Sequence, residues 1–228
     1  MLIIQYRAHD ILLQQLDEGN IGLSFVLKDK FDGDSAVFLP QQPRLVTQEG
    51  FLQIKYLELC VEGSNEVSEF SKKLHIRFKK VKRVNLDAEE GQADFFINIP
   101  EGEYSKLKFG IQLSDYGDLP SIQLAGTYIS NDSDLIPVTL MVSGEWPRFD
   151  LELDAQQQTE FSSNSLINPG IVFEINAFRW FENLSREDFE RADRDENGIL
   201  IAPGQNQRLY GKIMEAVAFG KEISVELR

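Results

Sequence analysis

Apolar and polar residues alternate along most of this chain. In "SKKLHIRFKK", Leu74, Ile76 and Phe78 fall on one side and His75, Arg77 and Lys79 on the other. A period of two is what a half-buried strand requires, because successive side chains point to opposite faces. Leu107, Phe109, Ile111 and Leu113 repeat the pattern, as do Phe95, Ile97 and Ile99. So do "SIQLAG", "IPVTLMV", "RFDLELD", "GIVFEINAF" and the closing "EISVEL". Short connections rich in Gly, Pro, Asn and Asp separate these runs, and "PEGEY", from Pro100 to Tyr104, reads as one such turn. The pattern predicts a mainly β fold, an antiparallel β-sandwich, with residues 1–228 in a single domain.

One predicted strand changes parity. In "FLQIKYLELCV", Leu52, Ile54 and Tyr56 share a side, whereas Leu57, Leu59 and Val61 take the opposite one. The change predicts a β-bulge near Tyr56–Leu57, or a strand that crosses from one sheet to the other. Helical spacing is sparse. "ILLQQLDEG" suggests a turn or two of helix ending at Gly19. Nearer the C-terminus, Ser185 is placed to cap a helix, with Asp188 as its capping-box partner and Leu184 and Phe189 as a hydrophobic staple. That helix is expected to run to about Ala192. Beyond an acidic loop, Leu209, Ile213, Ala216 and Val217 mark one face of a second helix, ended by Gly220. Residues 177–220 thus form a small helix–acidic loop–helix element, which Phe178, Trp180 and Phe181 are expected to pin to the sandwich.

The acidic loop carries the sharpest chemical pattern. "DRDENGIL" places side-chain oxygens at Asp193, Asp195 and Asn197, a bend at Gly198 and a backbone carbonyl at Ile199. Calcium takes about 6–8 oxygens, and an EF-hand loop draws them from its first, third, fifth and seventh positions, with glycine at the sixth. The twelfth position, where such a loop places a bidentate glutamate, is Gly204 here, and the ninth is Ile201. Asn206 lies two residues too late, and Glu190 or Glu215 would have to reach in from the flanking helices. A donor set this short suits weak affinity, about 10⁻⁴–10⁻³ M, the range of extracellular modules. The competing reading needs no metal: Asp193 and Asn197 cap the preceding helix and form an Asx-type turn into "GILI". Asp193, Asp195, Asn197 and Ile199 are therefore the candidate calcium ligands, with a capped turn as the alternative.

Charge narrows the partners. A net charge of −14 argues against nucleic acid, which needs a basic face. Yet Lys72, Lys73, Arg77, Lys79, Lys80, Lys82 and Arg83 crowd into one predicted strand. Such a strand either faces an anionic partner or guards an exposed edge against strand pairing. Cys60 is the lone cysteine, so no intramolecular disulfide forms, and within "YLELCV" it reads as a small buried hydrophobe. The two histidines, His9 and His75, lie far apart, and His75 falls on the solvated basic side. No HExxH helix or glycine-rich phosphate loop occurs. The carboxylate pairs Glu89–Glu90 and Asp132–Asp134 sit in turn-like stretches. No catalytic or organic-cofactor residue is nominated. Trp146 and Trp180 read as core anchors, with carbohydrate stacking as the alternative. No apolar run approaches the ~18 residues of a membrane-spanning helix, and "MLIIQYRAHD" does not read as a signal peptide.

Two stretches resemble a known group. "FINIPEGEYSKLKFGIQL" is similar to a strand–turn–strand segment of bacterial secreted lipoproteins of unknown function, where "IP-x-G-x-Y-x-x-L" enters a central sandwich strand. "WFEN", the acidic loop and "NQRLYGKIMEAV" resemble the ends of the same proteins; together these cover about a third of the chain. The resemblance implies an exported β-sandwich facing the periplasm or cell surface, with no established activity. The expectation is a non-catalytic binding or structural module whose partner is a protein or a glycan. The alternatives are a carbohydrate-active enzyme with catalytic acids dispersed along the chain, and an intracellular interaction domain using the basic strand 72–83.

Overall fold

In the computed structural model, twenty consecutive residues form one strand, β3 (Leu45–Ser64), long enough to serve two packing environments. The structure describes residues 3–4, 18–27, 43–66, 68–86, 93–144, 148–154, 161–163, 170–217 and 223–227. Among these, nine strands form the larger sheet: β1 (Ile3–Ile4), β3, β4 (Glu69–Asn85), β6 (Gly102–Leu113), β7 (Ile122–Ile129), β8 (Leu135–Val142), β9 (Phe149–Asp154), β10 (Phe161–Ser163) and β12 (Ile199–Ile201). Four form the smaller sheet: β2 (Glu18–Leu27), β5 (Phe95–Pro100), β11 (Gly170–Ile175) and β13 (Ile223–Leu227). Three helices complete the described residues: α1 (Ala177–Phe181), α2 (Arg186–Glu190) and α3 (Gln207–Val217).

The mainly β expectation holds, with a small helical element at the C-terminal side. Not every pairing is antiparallel, however: β11 runs parallel to β2, and β12 parallel to β8. The parity change in β3 is a bulge. Its register with both β4 and β6 shifts between Ile54 and Tyr56, so Ile54 and Leu57 both point inward while Tyr56 turns out. "PEGEY" is a corner and not a hairpin turn, since β5 lies in the smaller sheet and β6 in the larger. The Tyr104 hydroxyl, buried, donates back to the Pro100 carbonyl and fastens that corner.

Between the sheets the core is aromatic. Phe25 stacks on Phe173 with ring centroids 4.6 Å apart, and Phe109 of the facing sheet meets Phe173 edge-on at 5.1 Å. Truncating a ring at such a site costs about 3–5 kcal/mol, part transfer and part cavity.

The helical element covers the other half of the larger sheet. Phe189 stacks on Tyr128 of β7 at 4.8 Å, and Trp180, a residue of α1, is only 1% exposed. Burial removes Trp180 from any carbohydrate-stacking role; Trp146 lies outside the described residues. The capping box at α2 is complete, and Leu184 and Phe189 are both buried as a staple requires. The helix stops at Glu190 and not Ala192. Of the N-terminal helix expected over 11–19, Glu18 and Gly19 belong to β2 and the rest lies outside the described residues, as do Glu89, Glu90 and Gly220. No helix among the described residues is long and apolar enough to cross a membrane.

Candidate functional site

The acidic loop is held by its own hydrogen bonds. Asp195 and Gly198 exchange backbone bonds at 3.0 and 3.2 Å, closing a tight turn with Glu196 and Asn197 at its corner. Within it, Asp195 Oδ1 accepts the Asn197 N–H at 2.7 Å, an Asx turn. Gly198 sits at φ +104°, and a Cβ there would collide with the Pro137 carbonyl of β8, so glycine is required on both counts. Asp193, Asp195 and Asn197 are exposed, while Ile199 is buried in β12.

Asn206 occupies the middle of the loop. Its Nδ2 donates to the carbonyls of Asp193 at 2.9 Å and Leu200 at 2.8 Å, and its Oδ1 accepts the Asp193 N–H at 2.8 Å. Glu190 faces elsewhere, accepting from the Tyr128 hydroxyl and the Asn131 N–H. Among the described residues no three His, Cys, Asp or Glu side chains gather as a metal-holding group. Beneath the loop, Asp188 is 3% exposed and binds Lys212 at 2.7 Å and Arg208 at 2.9 Å while capping Ser185. Burial pushes its pKa up, but the Lys212 ammonium and the Ser185 donors outweigh that and hold it below the ordinary range.

A second cluster, on the outward face of β4, β3, β6 and β9, brings together residues far apart in sequence. At its centre Glu58 is 7% exposed. Register sets His75 and Gly110 beside it, with Asp150 beyond Gly110. Because Gly110 has no side chain, the Arg148 guanidinium lies across it and pairs with Glu58; a Cβ there would intrude on that group. Arg148 Nε also meets Asp150 at 2.6 Å, and Lys73 reaches Glu58 at 2.9 Å. One row along, Lys106 and Lys108 share Glu152 at 2.6 and 3.0 Å. The Arg148 bonds, followed by those of Lys73, hold Glu58 down to about 2 against the opposing effect of burial.

A recess of about 300 Å³ opens beside this lattice, with Cys60 on its lining. Cys60 is therefore outward and half-buried, not a core residue. Burial, and then the charge of Glu58, push its thiol pKa up and disfavour the reactive thiolate. His75 does face outward as its parity predicts, but it is bonded to the Tyr56 hydroxyl and lies 3.3 Å from Glu58. Nothing local in the sequence marks Glu58, Arg148 and Lys73 as neighbours. The signal the sequence does carry is the outward parity of Glu58 and Cys60 after the bulge.

The fold and this face define a two-sheet, mainly β protein with a charged, exposed sheet surface. No protein-family model, curated protein or solved structure matches the chain.

Proposed function

We propose that the protein is a non-catalytic binding module that takes an anionic ligand on the outward, β4 side of its larger sheet. The observation that carries this reading is a local surplus of cations. Glu58, Asp150 and Glu152 are already engaged by Lys73, Arg148, Lys106 and Lys108. Arg77, Lys79 and Arg83 stand exposed on that side, with exposed Lys80 next to them at the opposite parity of β4, and none has a carboxylate partner among the described residues. In a chain of net charge −14, such a cluster concentrates positive potential in one place. The groups best suited to chemistry nearby, Glu58 and Cys60, are held in unreactive forms, which favours binding over catalysis.

Titration calorimetry with dextran sulfate, polygalacturonate and neutral dextran tests it. The anionic polymers are expected to bind at low ionic strength, to weaken as salt rises, and to lose about tenfold or more in affinity in a Lys79→Glu/Lys80→Glu variant. Equal binding of neutral dextran, or no binding of either polyanion, refutes the reading.

A further inference from the structure

We propose that Arg83 is the anion receptor of a saccharide site, and that its ligand is a hexuronic acid unit of an acidic polysaccharide. The inference rests on the anion-binding reading of this face and names the ligand class and the residue that selects it.

Arg83 differs from the other cations on the sheet. Its guanidinium carbon lies 4.0 Å from the centroid of the Phe51 ring, and Phe51, although on the outward side of β3, is buried beneath it. Its Nε donates to Asn85 Oδ1 at 3.2 Å. The ring contact holds the group over Phe51 and the Nε bond ties it to Asn85. The terminal amino groups have no carboxylate partner among the described residues. A guanidinium held this way presents two parallel N–H donors, the geometry that receives a carboxylate through both oxygens. Because the fork is already oriented, little side-chain entropy remains to be lost on binding.

The surroundings favour a sugar. Arg83 lines a recess of about 180 Å³ shared with Glu49, Phe51, Asn85 and Gln123. Gln123 is half-buried and Glu49 exposed, and neither side chain has a hydrogen-bond partner among the described residues. An amide and a carboxylate beside the guanidinium offer both donors and acceptors, as ring hydroxyls require. The volume is below the ~300 Å³ of a typical drug-sized site and suits one ring. A lone acidic side chain would satisfy Arg83 but would bring no hydroxyls to Gln123 and Glu49, which line the same recess. Bound on this floor, the uronate carboxylate meets Arg83 and its hydroxyls meet Gln123 and Glu49.

The test titrates trigalacturonate, neutral galactotriose and glutarate into the wild-type chain and into Arg83→Gln, Arg83→Lys, Gln123→Ala and Lys79→Glu/Lys80→Glu variants. Calorimetry and amide shifts are followed, with circular dichroism confirming the fold. Trigalacturonate is expected to bind, to weaken about tenfold or more in Arg83→Gln, and to weaken less in Arg83→Lys, which keeps the charge but loses the fork. Gln123→Ala is expected to weaken trigalacturonate while leaving glutarate unchanged. Glutarate binding as tightly as the trisaccharide shows a general carboxylate receptor and overturns the saccharide assignment. Trigalacturonate affinity that survives Arg83→Gln but falls in the Lys79→Glu/Lys80→Glu variant overturns the Arg83 site and leaves the anion-binding face intact. Absence of binding by trigalacturonate and by both polyanions overturns the two readings together.

Discussion

A carboxylate as buried as Glu58 stays ionised only when its neighbours replace the solvation it has lost. Arg148 and Lys73 do so, and the resulting pKa of about 2, against an ordinary 4.5, fixes the sign of the pH effect. The folded value is depressed, so the stabilisation is complete above the ordinary glutamate range and is lost as pH falls from there toward 2. Its size is about 1–3 kcal/mol, at the lower end because both cationic partners are more than a third exposed to screening solvent. Glu58→Gln should cost this amount at neutral pH and flatten the stability curve between about pH 5 and pH 2, which urea unfolding across that window would show. Gly110→Ala tests the geometry separately. Its methyl group displaces the far end of a flexible arginine, so the sheet should persist while the Glu58 pKa climbs back toward the ordinary range in a carboxyl NMR titration. A Glu58 value that stays put would mean that Arg148 is not what holds it. Only part of this was legible in the sequence. Alternation after the bulge puts Glu58 and Cys60 on the outward side, but "YLELCV" alone made Cys60 look like core. Arg148 reaches Glu58 from 90 residues away, across a glycine whose relevance appears only once β6 lies between β3 and β9.

At the level of elements, the helix–loop–helix is held by one buried anion and one amide. Asp188 ties α2 to α3 through Lys212 and Arg208, and Asn206 ties the loop shut at Asp193 and Leu200. Ser185, Asp188, Leu184 and Phe189 were legible because capping and stapling are local rules spanning a single turn. The role of Asn206 was not, because its partners lie up to 13 residues back and nothing in the spacing announces them. Asn206 sits at φ +48°, so Asn206→Gly keeps the backbone at ease while removing all three bonds. That variant should lose about 1–3 kcal/mol, a fall of several degrees in melting temperature. The same amide contacts bear on calcium. With the Asp193 and Leu200 carbonyls held by Asn206 and Asp195 Oδ1 held by the Asn197 N–H, melts in EDTA and in millimolar calcium are expected to overlay. A calcium-dependent rise that Asp193→Ala and Asp195→Ala abolish would show instead that the loop reorganises around the ion.

Across the whole molecule, β3 decides both stability and the placing of the binding face. It pairs with β4 along one side and with β7 and then β6 along the other, so both its edges are used. Its inward residues Ile54, Leu57, Leu59 and Val61 are fully buried, while the same strand turns Phe51, Glu58 and Cys60 to the other face. The bulge at Ile54–Tyr56 makes this possible, since it re-aims the strand midway without breaking the sheet. Parity in the sequence shows the bulge but not the partners. The parallel pairing of β2 with β11 joins Gly22 to Gly170, and no local pattern encodes a contact of that range. A topology so dependent on distant pairings folds slowly, and it concentrates protection where the ladders are complete on both sides. Native-state hydrogen exchange should therefore find the slowest amides in β3 around Ile54–Val61, with β9 and β12 opening earlier. Among the described residues β12 has one ladder partner, β8, and Asp150 of β9, opposite Gly110, meets the Arg148 lattice from the rim. If β12 or β9 proved as slow as β3, protection would follow the helical cover and the charge lattice more than the double ladder. The outward face would then owe its rigidity to the Glu58 lattice as much as to the strand beneath it.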